Sequence, residues 1–380
     1  MRDVSIVGIG QIPVQKQHSE SLRRMGATAV NLAMADAGLD QVDALFAGNM
    51  LSDELQGQKH IAALIADEAG LRGIEALQIR AATATGAAAL RMAYLAVCSG
   101  AADIAIAVGA EKMSEGIATP ALAKALDSKW EVPTGDTLIS KNAELMQMYL
   151  QQYNVPADGL AHFSVNAHQN ALTNPSALFH KPITDQDVMN SRLISAPIRL
   201  FDCSPICDGA AAVVLMPTAQ AQSLTQHSVK MLASSVATDR FRLADRTEPL
   251  LLKASRLSAQ KAFEQANLTL ADVSLFEVHD AFSIMACLLL EAVGFAEMGQ
   301  GWRLAAEGEI GVNGRLPLAT LGGLKARGHP IGATALYQTC EIVQQLTGRA
   351  GVNQVANANV GLLQSVGGAA VTVLTHLFGV

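Results

Sequence analysis

The chain is poor in aromatic residues, in charges and in long runs of either basic or hydrophobic residues. Of its 380 residues, 4% are aromatic and 16% are charged, whereas 50% are hydrophobic. No uninterrupted apolar stretch reaches the ~20 residues of a membrane-spanning helix, and the N-terminus lacks the basic start of a signal peptide. The net charge is −7, without a long basic block that would indicate nucleic acid as a partner. We therefore expect a cytoplasmic protein that binds neither membrane nor nucleic acid.

Cysteine is also scarce, and its spacing excludes two kinds of site. The chain has five cysteines and no Cys-x-x-Cys pair: Cys98, Cys203, Cys207, Cys287 and Cys340. A zinc ribbon or a redox-active pair needs closely spaced cysteines, so neither is predicted and no metal site is expected. We interpret the five cysteines as buried core thiols in a reducing cytosol.

Alanine and glycine are abundant, and this composition bears on the expected fold. A chain that is half hydrophobic can bury enough surface to offset the entropy of ordering, which excludes a disordered protein. Small side chains allow helices to pack closely on a sheet, so the composition favours an α/β fold. At about 150 residues per domain, the length predicts two to three domain-sized units.

Two segments far apart in the chain are closely similar. They are residues 37–46, with the sequence AGLDQVDALF, and residues 266–276, with the sequence ANLTLADVSLF. In each, a predicted helix ends at a residue that tolerates the left-handed conformation, Gly38 or Asn267, and a short buried strand follows. The two segments lie more than 200 residues apart, and a repeat with so long a period indicates a duplicated domain rather than a solenoid.

A second pattern recurs in the same two halves. Gly86 and Gly332 each open an alanine-containing helix. The first helix leads to a predicted strand at residues 103–108, and the second leads to a predicted strand near residues 354–360. Alternation of strand and helix favours a mostly parallel sheet flanked by helices in each half.

The repeat predicts the domain organisation. We expect an N-terminal half at residues 1–220, closed by a strand at residues 210–216, and a C-terminal half at residues 221–380. Residues 112–197 interrupt the first half and are too long for a simple loop. They are predicted to form an insertion, and long insertions usually carry function.

One set of candidate site residues lies at turns that present backbone N–H groups. Thr83 lies at a strand-to-helix turn, where the N–H groups and the helix dipole favour negative charge. The alternative interpretation of Thr83 is an ordinary helix start. Gly367 and Gly368 form a second turn, whose N–H groups are a candidate anion site.

Two histidines are the second set of candidates. His329 lies just before a helix and is framed by glycines and Pro330, a pattern typical of close ligand approach to backbone. His279 and Asp280 follow a predicted strand, at the carboxyl end where open α/β sheets bind ligands. Tyr337, one turn into the helix after His329, is either a proton donor or a packed side chain.

Together these segments resemble the thiolase superfamily over nearly the whole chain. The similar motifs are GHPIGAT at residues 328–334, DCSPICDGAAA at residues 202–212 and HDAF at residues 279–282. The last is similar to the His-Asp-x-Phe signature of the branch with sterol-carrier-protein-type and archaeal thiolases. The resemblance implies a duplicated, five-layered αβαβα fold with a loop-domain insertion in the first half.

The resemblance also implies coenzyme A thioesters as substrates, with no permanently bound cofactor. In the family, a nucleophilic cysteine takes the acyl group, a second cysteine moves a proton at the α carbon, and the histidine of Gly-His-Pro stabilises the enolate. Here Thr83 is at the nucleophile position, Ala281 is the x of His-Asp-x-Phe, and His329 is the enolate histidine. His279, Asp280, Gly367 and Gly368 complete the implied site. Lysines and arginines of residues 112–197 are candidates for the coenzyme A phosphates.

Three functions are compatible with these residues. The first is a thiolase-type acyltransferase that makes or cleaves 3-oxoacyl-CoA. The second is a coenzyme A-dependent retro-aldolase on a 3-hydroxyacyl-CoA, which needs the enolate histidines but no acyl-enzyme. The third is a non-catalytic subunit that binds acyl-CoA within a larger complex. Threonine is a poor substitute for cysteine as a nucleophile, because its hydroxyl is barely ionised at neutral pH.

Partners are implied by the resemblance alone. The family forms homodimers, and the dimer is expected to bury the helix that begins near Gly86 and the strand that begins near Asp103. Aldolases of this superfamily and some archaeal thiolases work with a small zinc-ribbon and OB-fold protein. We expect a homodimer that can recruit such a partner, which would bring any zinc with it.

Overall fold

The computed structural model describes residues 2–225 and 227–380 and shows one mixed α/β architecture. Eleven strands are found in the described residues: β1 Val4–Gln11, β2 Ala44–Gly48, β3 Glu75–Ile79, β4 Ala105–Lys112, β5 Leu193–Ser195, β6 Ile198–Arg199, β7 Asp208–Pro217, β8 Val229–Thr238, β9 Leu275–Glu277, β10 Val360–Gly367 and β11 Thr372–Gly379.

The same residues form thirteen α-helices, and short 3₁₀ turns connect several of them. The helices are α1 Leu22–Ala37, α2 Ser52–Leu55, α3 Ile61–Glu68, α4 Thr85–Ser99, α5 Ala118–Ala123, α6 Leu138–Tyr153, α7 Ala161–Ala171, α8 Asp185–Asn190, α9 Thr218–Leu224, α10 Lys253–Ala266, α11 Ser283–Val293, α12 Gly301–Ala306 and α13 Thr334–Leu346. None of the helices in the described part of the chain is long and apolar enough to cross a membrane.

The strand order shows the duplication directly. Nine strands form one sheet in the order β3-β2-β4-β7-β1-β8-β11-β10-β9. Read outward from the centre, the first half has the order β1, β7, β4, β2 and the second half has the order β8, β11, β10, β9. In both halves the first two pairings are antiparallel and the third is parallel. Strand β1 meets β8 over only two residue pairs, so the junction between the halves is narrow.

The helices form three layers around this sheet. Helix α1 packs on β1, β7 and β4, and α10 packs on β8 and β11, so these two helices cover the outer faces. Helices α4 and α13 contact each other and contact strands of both halves. They form the central layer between the two parts of the sheet, and the expected five layers are present.

Several predicted elements are confirmed and two are wrong. Helices α1 and α10 end at Gly38 and Asn267, both in the left-handed conformation. The sheet is not mostly parallel, because β1, β7, β8 and β11 all pair antiparallel with their neighbours. The strand predicted near residues 354–360 begins only at Val360, because a 3₁₀ turn precedes it and Asn357 adopts a left-handed conformation.

The segment between β4 and β7 is helical rather than irregular. It contains α5, α6, α7 and α8 and the two-stranded ribbon β5-β6. Helices α6 and α7 pack against α11 of the second half, so this segment lies over the carboxyl end of β9. It supplies one wall of the candidate site.

The loop before α13 is held against the first half by close backbone contacts. A Cβ atom added to Gly86 would lie 2.7 Å from the carbonyl oxygen of Gly332, so only glycine fits at this position of α4. The buried Glu111 carboxylate accepts hydrogen bonds from the N–H groups of Met50, Leu51 and Gly332 at 2.9–3.0 Å. These contacts place the loop that carries His329 at the start of α4.

Candidate functional site

A cavity lies where the starts of α4, α11 and α13 meet the insertion. Most of its wall is apolar. It is lined by Thr83, Met113, Thr119, Leu122, Thr137, Leu138, Ile139, Asn142, Cys203, Ser204, Pro205, Ile206, His279, Ala281, Phe282, Met285, His329, Ile331, Val366 and Gly368. The cavity therefore brings together segments from both halves and from the insertion.

His329 is held by the glycine-rich loop before α13. Gly328 has a φ of 115°, and a side chain there would lie 2.7 Å from Val14. The N–H group of His329 donates to Cys207 Sγ at 3.2 Å, and its ring Nδ1 lies 2.6 Å from Thr334 Oγ1. The loop thus fixes both the backbone and the ring of this histidine.

The contact with Thr334 also fixes which ring nitrogen carries the proton. Burial, together with the charge of Arg327, holds the pKa of His329 well below its usual range, so the ring is neutral. The Thr334 hydroxyl has no other hydrogen-bond partner in the described residues, and it is satisfied only if it donates to Nδ1. Nε2 then carries the proton and is the donor available to the cavity.

His279 lies beside His329 at the end of β9. The two ring centroids are 5.2 Å apart and the rings are nearly perpendicular. The side chain of His279 is 3% exposed, and its Nδ1 has no hydrogen-bond partner in the described residues. Burial lowers the pKa of His279 to about 3, so this ring is also neutral. The cavity thus contains a pair of neutral imidazoles.

Asp280 supports the site from behind and does not line the cavity. Its Oδ1 accepts a hydrogen bond from the N–H group of Leu324 at 2.7 Å, within the turn Gly323–Arg327. A side chain on Gly323 would overlap the Asp280 carboxylate. Asp280 therefore holds the glycine-rich loop and positions His329 through it.

A buried ion pair supports the same loop. Arg327 Nε donates to Glu341 Oε1 at 2.9 Å, and both side chains are fully buried. Arg327 Nη1 also donates to the carbonyl oxygen of Gly328 at 2.6 Å. Loss of one partner would leave an uncompensated buried charge, which costs about 3–5 kcal/mol.

Thr83 lies two residues before α4 and lines the cavity. Its hydroxyl donates to the carbonyl oxygen of Val366 at 2.6 Å and accepts from the N–H group of Gly368 at 3.2 Å. The turn at Gly367 and Gly368 is therefore next to Thr83. The hydroxyl proton is committed to a carbonyl oxygen, and no side-chain base is bonded to it in the described residues.

Of the two alternatives for Tyr337, the structure supports the packed side chain, and one other interpretation is corrected. Tyr337 is fully buried, and its hydroxyl donates to Ile12 O at 2.6 Å and accepts from Ala210 N at 3.0 Å. It connects α13 to β7 and to the residue after β1 and does not line the cavity, so it is not the proton donor. The cysteines are not all core thiols: four are buried, but Cys203 is partly exposed and lines the cavity.

Sequence reasoning missed Thr334, Glu111 and Cys203. Thr334 lies within the GHPIGAT motif, but only the folded loop shows that it contacts the ring of His329. Glu111 ends an apolar strand, where a lone carboxylate is a usable signal because it must find buried donors. No group of three or more histidine, cysteine or carboxylate side chains suited to a metal ion occurs in residues 2–225 and 227–380.

Two family models match the chain. The thiolase N-terminal domain matches residues 4–196, and the thiolase C-terminal domain-like family matches residues 235–380. Both matches include residues of the cavity. The boundary between them lies close to the narrow β1-β8 junction.

Whole-chain relatives agree with these matches. The chain is 42% identical to an acetyl-CoA acetyltransferase of Methanothermobacter thermautotrophicus, with 100% of both chains covered. It is 31% identical to human sterol carrier protein 2, covering all of this chain and 72% of that protein. The Ltp2-ChsH2(DUF35) aldolase has the same fold, with a TM-score of 0.87 at 24% identity over 99% of this chain and 97% of that one. The chain belongs to the thiolase superfamily.

Proposed function

We propose that this chain forms or breaks the Cα–Cβ bond of an acyl-CoA through an enolate, without an acyl-enzyme on Thr83. The observation that carries the proposal is the pair of neutral imidazoles in the cavity. His329 presents an Nε2–H donor fixed by Thr334, and His279 lies 5.2 Å from it, centroid to centroid. A preorganised neutral donor stabilises an enolate oxygen as charge develops on it.

The hydroxyl of Thr83 argues against a covalent acyl intermediate. By resemblance, this position holds the family's nucleophilic cysteine. Here the hydroxyl donates its proton to Val366 O, and a nucleophile needs an adjacent base or a lowered pKa. The substrate class is then a 3-hydroxyacyl-CoA, which is cleaved to an acyl-CoA and an aldehyde or ketone.

Acyl transfer on 3-oxoacyl-CoA is the second candidate. Two observations favour it: the 42% identity to an acetyl-CoA acetyltransferase, and the Gly368 N–H group that already lies 3.2 Å from Thr83 Oγ1. That N–H is suited to stabilise an oxyanion on an acyl group at position 83. In either candidate the ligand is a coenzyme A thioester, and no permanently bound cofactor is proposed.

We propose a homodimer formed along the edge of the sheet. Strand β3 is the outermost strand on this side, and its Leu77 is 48% exposed. Met92 of α4 is also exposed nearby in the fold, whereas β4 lies two strands further in. An apolar edge strand is a template for pairing with a second copy. The edge strand β3 is therefore a better candidate for the two-fold than β4.

Light scattering after size exclusion tests the dimer. We expect roughly twice 39.8 kDa for the chain alone. Leu77→Lys should produce monomers, while the exposed Leu224→Lys on α9 serves as a matched control. A wild-type monomer would contradict the dimer. Recruitment of a zinc-ribbon and OB-fold partner is a further proposal, supported by the ChsH2(DUF35) component in the name of the similar aldolase. Full activity without such a protein would contradict it.

Product analysis tests the proposed function. The protein is incubated with a 3-hydroxyacyl-CoA, and separately with acetoacetyl-CoA and free coenzyme A. We expect release of an aldehyde or ketone from the first and no acyl adduct in the intact mass. Consumption of free thiol with an adduct on Thr83 would establish acyl transfer instead. Tight acyl-CoA binding without either product would indicate a non-catalytic subunit.

A further inference from the structure

One thiol in the cavity has no role in the site described so far. Cys203 is partly exposed and lines the cavity with His279, His329 and Ala281, whereas the other four cysteines are buried. Enolate chemistry needs a group that gives a proton to the α carbon or removes one. The imidazole of His329 stabilises the enolate oxygen, so that group has to be found elsewhere in the cavity.

The backbone places Cys203 next to residue 281, where the branch resemblance implies the second cysteine. Cys203 forms an antiparallel bridge with Phe282, and the N–H group of Ser204 donates to the carbonyl oxygen of Ala281 at 2.8 Å. Cys203 and Ala281 both line the cavity. The two positions therefore contribute to the same cavity wall from adjacent backbone segments.

The surroundings of Cys203 contain a cation and a hydrogen-bond acceptor. The Lys325 ammonium donates to the carbonyl oxygens of Phe201 and Asp202, immediately before Cys203 in sequence, and Cys203 Sγ donates to the carbonyl oxygen of Arg199 at 3.6 Å. Burial raises the pKa of Cys203 to about 11, the charge of Lys325 acts in the opposite direction, and the Asp202 carboxylate raises it further. The group is therefore a thiol at neutral pH, and a nearby cation limits the cost of the transient thiolate.

A second observation concerns the histidine on the same wall of the cavity. His279 is 3% exposed and lines the cavity, and its Nδ1 has no partner in the described residues. An unpartnered buried nitrogen costs free energy in the folded protein. Cys203 thus shares the cavity wall with a polar side chain that the fold leaves unsatisfied.

We propose that Cys203 is the acid–base group that exchanges a proton with the α carbon of the bound acyl-CoA, in place of a cysteine at position 281. In the cleavage direction the Cα–Cβ bond breaks, its electron pair enters the thioester enolate, and the Sγ proton moves to Cα. The 3-hydroxyl loses its proton to water as it becomes a carbonyl, and water later returns a proton to the Cys203 thiolate, so no proton is gained or lost overall. The assignment rests on the proposed enolate function.

Deuterium uptake at the methyl group of acetyl-CoA in D2O measures this proton transfer without a complete reaction. Cys203→Ala should lower the rate of uptake by about 10²–10⁴-fold, the usual contribution of a positioned acid or base. The dissociation constant of acetyl-CoA should stay within about threefold. Cys98→Ala, which removes a buried thiol from α4, is the matched control and should exchange at the wild-type rate.

A rescue variant separates a missing thiol from a damaged site. The double variant Cys203→Ala with Ala281→Cys should exchange at least tenfold faster than Cys203→Ala alone, because both positions line the cavity. On the wild-type protein, iodoacetamide should modify Cys203 before the other cysteines, and acetyl-CoA should slow that modification.

The outcomes distinguish this assignment from the function on which it rests. An active wild type and an equally active Cys203→Ala variant would overturn the assignment of Cys203 alone. A wild type that neither exchanges the methyl protons nor cleaves a 3-hydroxyacyl-CoA would overturn the proposed function, and the assignment with it. Alkylation of Cys203 that acetyl-CoA does not slow would place the thiol outside the substrate site.

Discussion

The neutral state of both cavity histidines predicts an unusual pH profile. Burial lowers the pKa of His279 to about 3, and burial with the charge of Arg327 lowers that of His329. A lowered histidine pKa means that the neutral form persists as the pH falls below its ordinary value of about 6.5. Lowering the pH from 8 to 5.5 should therefore leave kcat/KM for acyl-CoA cleavage unchanged within about twofold.

The expected contrast with an exposed histidine is large. A histidine with a pKa of about 6.5 is roughly nine-tenths protonated at pH 5.5, which would lower activity by about tenfold. With a pKa of about 3, His279 is protonated in less than about 1% of molecules at the same pH. Cys203, whose pKa is raised to about 11, keeps its proton over the same range, so no alkaline limb is expected below about pH 9.

Initial rates measured at each pH give the profile, and two controls exclude other causes of a pH dependence. Enzyme returned from pH 5.5 to pH 7.5 must regain full activity, which excludes acid unfolding. A pantetheine thioester must give the same profile as the coenzyme A thioester, because a phosphate monoester titrates near pH 6 and would add its own limb. An acid limb in kcat/KM with an apparent pKa near 6.5 for both substrates would refute neutral, buried histidines as the catalytic pair.

Three substitutions test other parts of the site. Thr83→Cys should raise thiolysis of acetoacetyl-CoA, measured by free-thiol consumption, because the Gly368 N–H donor is in place; no gain, even with Ala281→Cys added, would contradict a thiolase-like cavity. Thr334→Val should lower turnover in the cleavage assay by about two- to tenfold, whereas Thr334→Ser, which keeps the hydroxyl, should keep the wild-type rate. Equal rates for the wild type and Thr334→Val would exclude a role of this hydroxyl in fixing the tautomer of His329. Tyr337→Phe should lower the free energy of unfolding by about 1–3 kcal/mol in urea titration, with turnover unchanged; a large loss of turnover would contradict its structural role.

Local signals in the sequence were sufficient for the helices and for the repeat. Gly38 and Asn267 end their helices because few residues adopt the left-handed conformation, a property of the residue itself. Strand direction is different, since hydrophobic patterning does not encode it. The antiparallel centre of the sheet follows from where β7 and β11 return after the insertion and the β10-β11 hairpin, and no short pattern reports that return.

The candidate site shows the same division. His329 and His279 were predictable because glycines frame one and a strand end precedes the other, and the structure brings both into one cavity with Thr83. Cys203 and Thr334 were not, because a free thiol and a helix-start threonine usually have structural roles. Cys203 meets Phe282, which is 79 positions later in the chain, and Thr334 meets His329, five positions earlier. Only folding fixes these contacts.

Deuterium uptake by acetyl-CoA, compared between the wild type and His329→Ala, tests the central claim most directly. The claim is that an enolate forms in this cavity and that His329 Nε2 stabilises its oxygen. We expect the wild type to exchange the methyl protons and His329→Ala to exchange them about 10²–10³-fold more slowly, the usual cost of one oxyanion donor. Uptake by His329→Ala within about fivefold of the wild-type rate, at saturating acetyl-CoA, would contradict the claim.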